Sequence, residues 1–519
     1  MKQITISLAF VFLFSFNTYS QTNTWTGTTD TDWHKACNWS LSSIPTCSED
    51  VVIPNVTNDP VITGIGHCKT IDIQSGSGAL LTINSSGGGN LEIGTCPTSA
   101  TDNGGCGYSQ MCLTVGGTGF DEGESIVQTS DGGYVIGGET TSYGAGSRDL
   151  YVVKLDGSGS VSWMKTIGGT GNEEGKSIAQ TIDGGYIVGG YTRSYGAGGA
   201  DVYVVKLDGS GSVSWMKTIG GTAYDFGYSI AQTSDGGYVV CGGVGSYGSG
   251  SYDVYVVKLN GSGNVTWTKT IGGALGDHGY GIAQTNDGGC VVVGETKSYG
   301  SGHSDAYVVK LNGSGNVTWT KTIGGTDYDA GFSIAQTNDG GYILAGSTRS
   351  YIAGDDDVYV VKLDGSGNIT WTKTIGGTGY DVGRSIAQTS DGGYIVGGYT
   401  TSYGAGGSDV YVVKLDGSGN LTWTKTIGGT GHDYGYSIAQ TSDGGYIVVA
   451  RTSSFGAGGF DLYVVKLDDS GNTCCASGSG GVTGSGGSTS SGGVAGSGGV
   501  TGSGGSTSSG GTATLNCGN

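Results

Sequence analysis

Between residues 385 and 429 the chain reads SIAQTSDGGYIVGGYTTSYGAGGSDVYVVKLDGSGNLTWTKTIGG. Hydrophobic positions come in four short bursts separated by Gly-rich breaks. The first, SIAQT, closes at DGG. The second, YIVGGYT, runs into a loop, SYGAGGSD. The third, VYVVKL, ends at DGSGN, and the fourth is LTWTKTI. In the third burst Tyr411, Val413 and Leu415 fall on one face and Val412 and Lys414 on the other, the two-residue period of a strand. Asp-Gly and Gly-Asn pairs suit hairpins, because Gly and Asn adopt positive φ cheaply. No segment sustains a helical period. Each unit therefore predicts four short strands.

The unit recurs. Trp stands at 163, 215, 267, 319, 371 and 423, every step being 52 residues (215 − 163, and so on), and Gly-Gly pairs open seven units at Gly116, Gly168, Gly220, Gly272, Gly324, Gly376 and Gly428. A period of roughly 50 residues with four strands is the size of a propeller blade, whereas the coils of a β-solenoid are usually shorter. The seventh unit lacks its last strand: LYVVKLDDSGN is followed by TCCASGSGG. The segment SQMCLTVGG, just before the first unit, has the form of the missing piece. Joining first and last strands closes a ring and removes its sheet edges. The expected fold is all-β: a seven-bladed β-propeller closed by an N-terminal strand, preceded by a small β-sandwich or β-solenoid-like domain.

The run DGGYIVGGYT, then DVYVVKLDGSGN and a Trp, resembles the repeats of secreted bacterial seven-bladed β-propeller proteins over residues 116–472. KLDGSGNLTW is also similar to quinoprotein propellers, in which an Asp-Gly turn precedes a docking Trp; with no evident quinone pocket, a dehydrogenase reading is not carried over. TWTGTTDTDWHKACNWSLSSIPTCSEDVVIP, residues 24–54, resembles an N-terminal module of secreted bacterial surface proteins and implies no enzyme. After it, KTIDIQ, ALLTIN and NLEIG look like short parallel rungs.

Composition and the two ends complete the outline. Residues 1–20, MKQITISLAFVFLFSFNTYS, have the basic start and apolar stretch of a secretory signal peptide. No later stretch reaches the roughly 18 apolar residues of a membrane helix. The expected parts are a signal peptide (1–20), a small all-β domain (21–96), the propeller (97–475) and a Gly/Ser-rich flexible tail (476–519) with two near-identical 18-residue copies, at 478–495 and 496–513. The expected location is secreted or on the cell surface. With 23 basic against 43 acidic residues, formally −20, the chain repels nucleic acid and anionic membrane surfaces. Eleven cysteines in an exported chain suggest disulfides. Cys37, Cys47, Cys68 and Cys96 would form two of them, and Cys112, or else Cys106, would bridge Cys474 or Cys475 across the ring closure.

The loops after the second and fourth strands should share one face of the ring. They place Tyr143, Tyr195, Tyr247, Tyr299, Tyr351, Tyr403 and Phe455 in one circle, and Asp121, Glu173, Asp225, Asp277, Asp329, Asp381 and Asp433 in another. One reading is an aromatic, acidic face for sugars or cations, with the six tyrosines and Asp225, Asp329 and Asp381 as ligand-binding candidates. The plainer reading has Tyr wedged between blades and Asp closing its own turn. Units four and five carry extra charge. Asp277, His278, His303, Asp355 and Asp357 form a candidate metal set suited to Ca²⁺, or through the histidines to Zn²⁺. The alternative is a solvated charge run. Five His and no G-x-S-x-G, H-E-x-x-H or P-loop argue against catalysis. The function expected is that of a secreted, monomeric, non-catalytic propeller that binds an extracellular glycan or protein and does not insert into membranes. The rival readings are a lyase or hydrolase working on glycans at the loop face, and a structural or adhesive surface protein.

Overall fold

The computed structural model describes residues 111–351 and 355–473 in full, and the backbone of short strands between residues 22 and 93. Two compact units divide the chain, residues 1–98 with 485–519 and residues 99–484. In the first, Thr22–Thr24, Asp50–Ile53 and Thr70–Ile73 form a parallel three-stranded sheet. Val61–Ile62 pairs in parallel with Thr82–Ile83, and Ile65–Cys68 with Asn90–Ile93. The rungs expected from KTIDIQ, ALLTIN and NLEIG lie in these strands. Signal peptide and tail fall outside the described residues.

The second unit is a propeller of seven four-stranded antiparallel sheets. The first blade uses Asp121–Gln128 as inner strand, then Tyr134–Thr140, Asp149–Leu155 and, outermost, Val161–Ile167. The inner strand starts four residues before SIAQT and its equivalents: part of what reads as loop in the sequence is wall of the channel.

Blades pack face to face, so the third strand is buried on both sides. Tyr411 and Val413 join a cluster with the blade before, and Val410 and Val412 one with the blade after. The outer Trp seals each junction. Trp163 lies against Tyr186 of the next blade with ring centroids 5.7 Å apart. It also covers Gly211 (φ +79°) in that blade's outer hairpin, where an added Cβ would sit 3.0 Å from the indole. The buried third-strand lysine is paired too: Lys154 Nζ meets Asp131 Oδ2 at 2.9 Å and donates to Leu155 O at 2.9 Å.

Closure follows the sequence. Cys112–Val115 pairs antiparallel with the last third strand: Val465↔Cys112, Val464↔Leu113, Tyr463↔Thr114 and Leu462↔Val115. Leu113 and Val115 are buried among Ile126, Val449 and Leu462 at the junction of the last and first blades. Met111, 52 residues before Trp163, takes the Trp position against Gly159. On the hairpin face Gln128 Oε1 accepts from Ser442 N at 2.8 Å, the same bond that Gln180 makes to Ser130 N. Cys106, Cys474 and Cys475, and with them the expected staple to Cys112, fall outside the described residues.

Candidate functional site

Each inner strand holds one residue more than the strand beside it. In the first blade Gly138 pairs with Gly123 and Gly137 with Ser125, so Glu124 is skipped. The same bulge skips Lys176, Tyr228 and Tyr280. It skips Phe332, Arg384 and Tyr436 in the remaining blades. A bulge re-aims the side chain it carries. Here all seven line a central cavity of about 650 Å³. The next residue is Ser in six blades and also faces the cavity. Its hydroxyl ties the ring together: Ser125 Oγ accepts from Ile178 N at 3.2 Å, and Ser333 Oγ from Ile386 N at 3.2 Å. In the fourth blade Gly281 replaces it, and a Cβ there would come within 2.7 Å of Phe332 O.

The wall is two-sided. In the first two blades it is charged. Lys176 Nζ lies 2.7 Å from Glu124 Oε1, 3.0 Å from Glu174 Oε2 and 3.8 Å from Glu139 Oε2. Arg148 pairs with Glu139, and Arg451 with Glu122 at 2.7 Å. Burial pushes the Glu139 carboxyl well up, aided by Glu174 and Glu124 against the pull of Lys176 and Arg148. Glu174 is held low despite burial, chiefly by Lys176. The three surrounding glutamates raise Lys176 far above an ordinary lysine against its own burial.

Blades three to five present aromatic rings. Tyr228, Tyr280 and Phe332 follow one another around the cavity with centroids 5.5 Å apart at each step. Tyr280 donates to Glu295 Oε1 at 3.0 Å. Phe226 stacks on Tyr228, and His278 on Tyr280, each adding a second ring along the strand. Arg384 closes this side, its guanidinium 4.6 Å from the Phe332 centroid and 5.7 Å from that of Tyr399. Such a wall, aromatic on one side and hydrogen-bonding on the other, can stack flat apolar faces while reading hydroxyls or charges.

The circles singled out in the sequence are tied into their own loops. Asp225, Asp329 and Asp381 are buried at the starts of inner strands. Asp225 Oδ2 accepts from Gly221 N and Ser246 Oγ at 2.6 Å each, and its Oδ1 from Gly245 N and Ser246 N at 3.1 Å. Asp329 and Asp381 repeat the bonds to Gly325 N and Ser350, and to Gly377 N and Ser402. Each carboxylate thus ties the two loops of its blade together. Tyr143, Tyr195, Tyr247, Tyr299, Tyr351 and Tyr403 donate their hydroxyls to the carbonyls of Gly116, Gly168, Gly220, Gly272, Gly324 and Gly376, leaving rings 41–51 % exposed.

The candidate metal set is not brought together. Asp277 is tied like its equivalents, to Gly273 N at 2.8 Å and Ser298 Oγ at 2.7 Å. His278 lies between Tyr252 and Tyr280, and burial lowers its basicity. His303 stacks on Tyr328 at 4.8 Å. Asp356, between Asp355 and Asp357, is engaged by Arg349 at 2.8 and 3.1 Å. Asp357 faces Asp381; burial first, then that neighbour, pushes its carboxyl up to about 7. Among the described residues no three His, Cys, Asp or Glu side chains converge as a metal site.

Sequence reading missed the bulge ring. The signal was there: between Gly and Ser, or Gly281 in the fourth, seven near-identical units place Glu, Lys, Tyr, Tyr, Phe, Arg and Tyr.

Comparison with known proteins bears on the fold. Residues 129–161 and 389–421 match the family model described as "Domain of unknown function (DUF5122) beta-propeller". Residues 24–98 match "Domain of unknown function (DUF8693)". The regulatory protein FlaEY of Caulobacter vibrioides is 27% identical over 394 residues, 62% of this chain and 41% of that protein, so the chain spans less than half of that relative. Among solved structures, Sqt1 from Chaetomium thermophilum is 14% identical over 71% of this chain and 89% of its own, with a TM-score of 0.42. The Pan2 WD40 domain of Neurospora crassa is 11% identical over 70% of this chain and 96% of its own, with a TM-score of 0.42. Neither structure bears on ligand or reaction.

Proposed function

We propose that this chain is an exported, non-catalytic propeller that binds an extracellular glycan or protein, and that its site is the channel ringed by the bulge residues. One observation carries the reading. Across the blades the outer strand keeps Trp, Lys and Thr at positions 163, 165 and 166 in all six copies, although much of that strand is exposed. The bulge position holds five residue types in seven copies. Drift falls first on exposed positions, where substitutions usually cost within about 0.5 kcal/mol. The exposed positions 161, 162 and 164 of that strand exchange only Val for Ile or Leu, Ser for Thr and Met for Thr, whereas the cavity-wall position changes charge, size and aromatic character, the pattern of a scaffold copied and then edited for a ligand. Export rests on the leader-like residues 1–20.

The test is a glycan-array and extracellular-protein screen of the full chain beside a channel variant, Tyr228→Ala with Tyr280→Ala. Binding lost in that variant and kept in Tyr143→Ala with Tyr195→Ala supports the channel; the reverse moves the site to the loop circle. Turnover on a polysaccharide panel would replace the binding reading with an enzymatic one, and Glu139, buried with its carboxyl raised, would be the first residue to substitute.

A further inference from the structure

Four cationic side chains line the channel: Arg148, Lys176, Arg384 and Arg451. Three are matched by carboxylates, Arg148 by Glu139, Lys176 by Glu124 and Glu174, and Arg451 by Glu122. Arg451 also leaves its Nε buried without a hydrogen-bond partner, but among the described residues Arg384 alone of the four has neither an ion pair nor a partner for its buried Nε. Aromatic rings of Phe332 and Tyr399 flank it instead. An unmatched buried N–H costs roughly 1–3 kcal/mol, more on a charged group. A site that keeps one is supplied with its acceptor from outside.

The surroundings say what kind. Neighbouring hydroxyls have spare protons: Ser333 Oγ accepts from Ile386 N at 3.2 Å and Ser437 Oγ from Ile126 N at 3.4 Å, and neither donates to a protein acceptor among the described residues. Both face the cavity beside the Arg384 bulge. This sector therefore offers donors, a planar guanidinium fork and hydroxyls, while the glutamates that line the cavity stand in the first two blades and Glu295, behind the aromatic wall, accepts from Tyr280. A guanidinium fork matches a carboxylate with two parallel bonds. Beside it, Phe332, Tyr280 and Tyr228 form a run of ring faces on which sugar rings can stack.

Resting on the channel as the binding site, we infer that the ligand is an acidic saccharide whose uronate carboxylate is held by Arg384, with Ser333 and Ser437 donating to it and adjoining sugar rings on the Phe332, Tyr280 and Tyr228 wall. Arg384 is then the residue that separates acidic from neutral glycans.

Calorimetric titration of the full chain with oligogalacturonate, with the neutral cello-oligosaccharide of the same length, and with a short peptide bearing a free or an amidated C-terminus tests this. The uronate is expected to bind roughly ten- to a hundredfold more tightly than the neutral sugar, the range of a charge-assisted pair. Arg384→Met should reduce that preference to within about twofold while leaving neutral-sugar binding in place, and Arg384→Lys should restore only part of it, keeping the charge but not the fork. Equal binding of uronate and neutral sugar, or a preference that survives Arg384→Met, overturns the inference while the channel reading stands, provided Tyr228→Ala with Tyr280→Ala abolishes the binding. Binding of the free-carboxylate peptide without binding of either sugar overturns the saccharide assignment. No binding of any probe overturns it together with the glycan part of the function proposed above.

Discussion

The outermost and innermost strands of each blade have been treated in opposite ways. The outer strand is nearly the same in all six copies: Trp163 and its equivalents lock each blade to the hairpin of the next, Lys165 and Thr166 never change, and the exposed positions 161, 162 and 164 exchange only Val for Ile or Leu, Ser for Thr and Met for Thr. The inner strand keeps its backbone, with the same bulge at the same place, and changes the side chain the bulge presents. Geometry is constant where blades meet and chemistry varies where they face the channel. Stability and the proposed recognition thus sit on different strands, and each can be disturbed alone.

The largest effect should come from the seam. Leu113→Ala with Val115→Ala empties the junction that joins the ring's ends. It is expected to cost about 4 kcal/mol, at the low end for paired core truncations, and to lower the urea midpoint without altering ligand affinity. An unchanged midpoint would mean that the closing strand contributes little. Next is the covalent seam. Cys112 is expected to bridge Cys474 or Cys475, and reduction should then remove roughly 2–4 kcal/mol. Peptide mapping under non-reducing conditions decides it, and Cys112 recovered as a free thiol counts against the bridge.

A smaller effect sharpens the contrast through pH. On the hairpin face the hydrogen bond from Thr129, then Lys154, holds Asp131 at about 2; Asp183, Asp235 and Asp339 are held there by the equivalent pairs. A depressed carboxyl stabilises the fold above its unfolded value, near 4, and that contribution is lost as pH falls through about 2. On the loop face the sign is opposite. Burial, then a neighbouring aspartate, raises Asp357 to about 7 and Asp409 to about 6. Burial, with a lesser push from Asp121, takes Asp461 to about 6. These groups favour the folded state below about pH 4, and the benefit is lost as pH rises through 6 to 7. Urea midpoints should therefore peak between about pH 4 and 5, and Asp357→Asn should flatten the upper slope. A midpoint rising steadily to pH 8 would contradict both directions. The smallest effect on stability belongs to the channel. Tyr228→Phe should move unfolding by less than about 0.5 kcal/mol; a larger shift would mean that the channel wall also carries the fold.

The ring was legible because its determinants are local and repeated. A 52-residue step, hairpin glycines and a third strand apolar on both faces leave few architectures, and the absent last strand names its own replacement around Met111. The site was harder to read. Tyr143 and Asp225 stand out because they recur, yet they recur for the same reason as the Trp: each ties its own loops. Glu124, Lys176 and Arg384 look like loop residues before SIAQT, since a bulge breaks the alternation by which strands are recognised. Only the backbone shows that these residues turn inward.

The swapped closing strand has a consequence in time. Val115 is among the first of the propeller's residues to be synthesised, and its partner Leu462 is 347 positions later (462 − 115). Blades one to six can each form from neighbouring segments, with short loops to close. The seventh waits for both ends of the ring, the most non-local pairing in the unit and so the slowest to form. Until then the third strand of the last blade, Asp461–Leu467, has an open edge. A chain cut short before Asp461 would leave Cys112–Val115 without a partner, so the latch engages only on a propeller that has been made to its end.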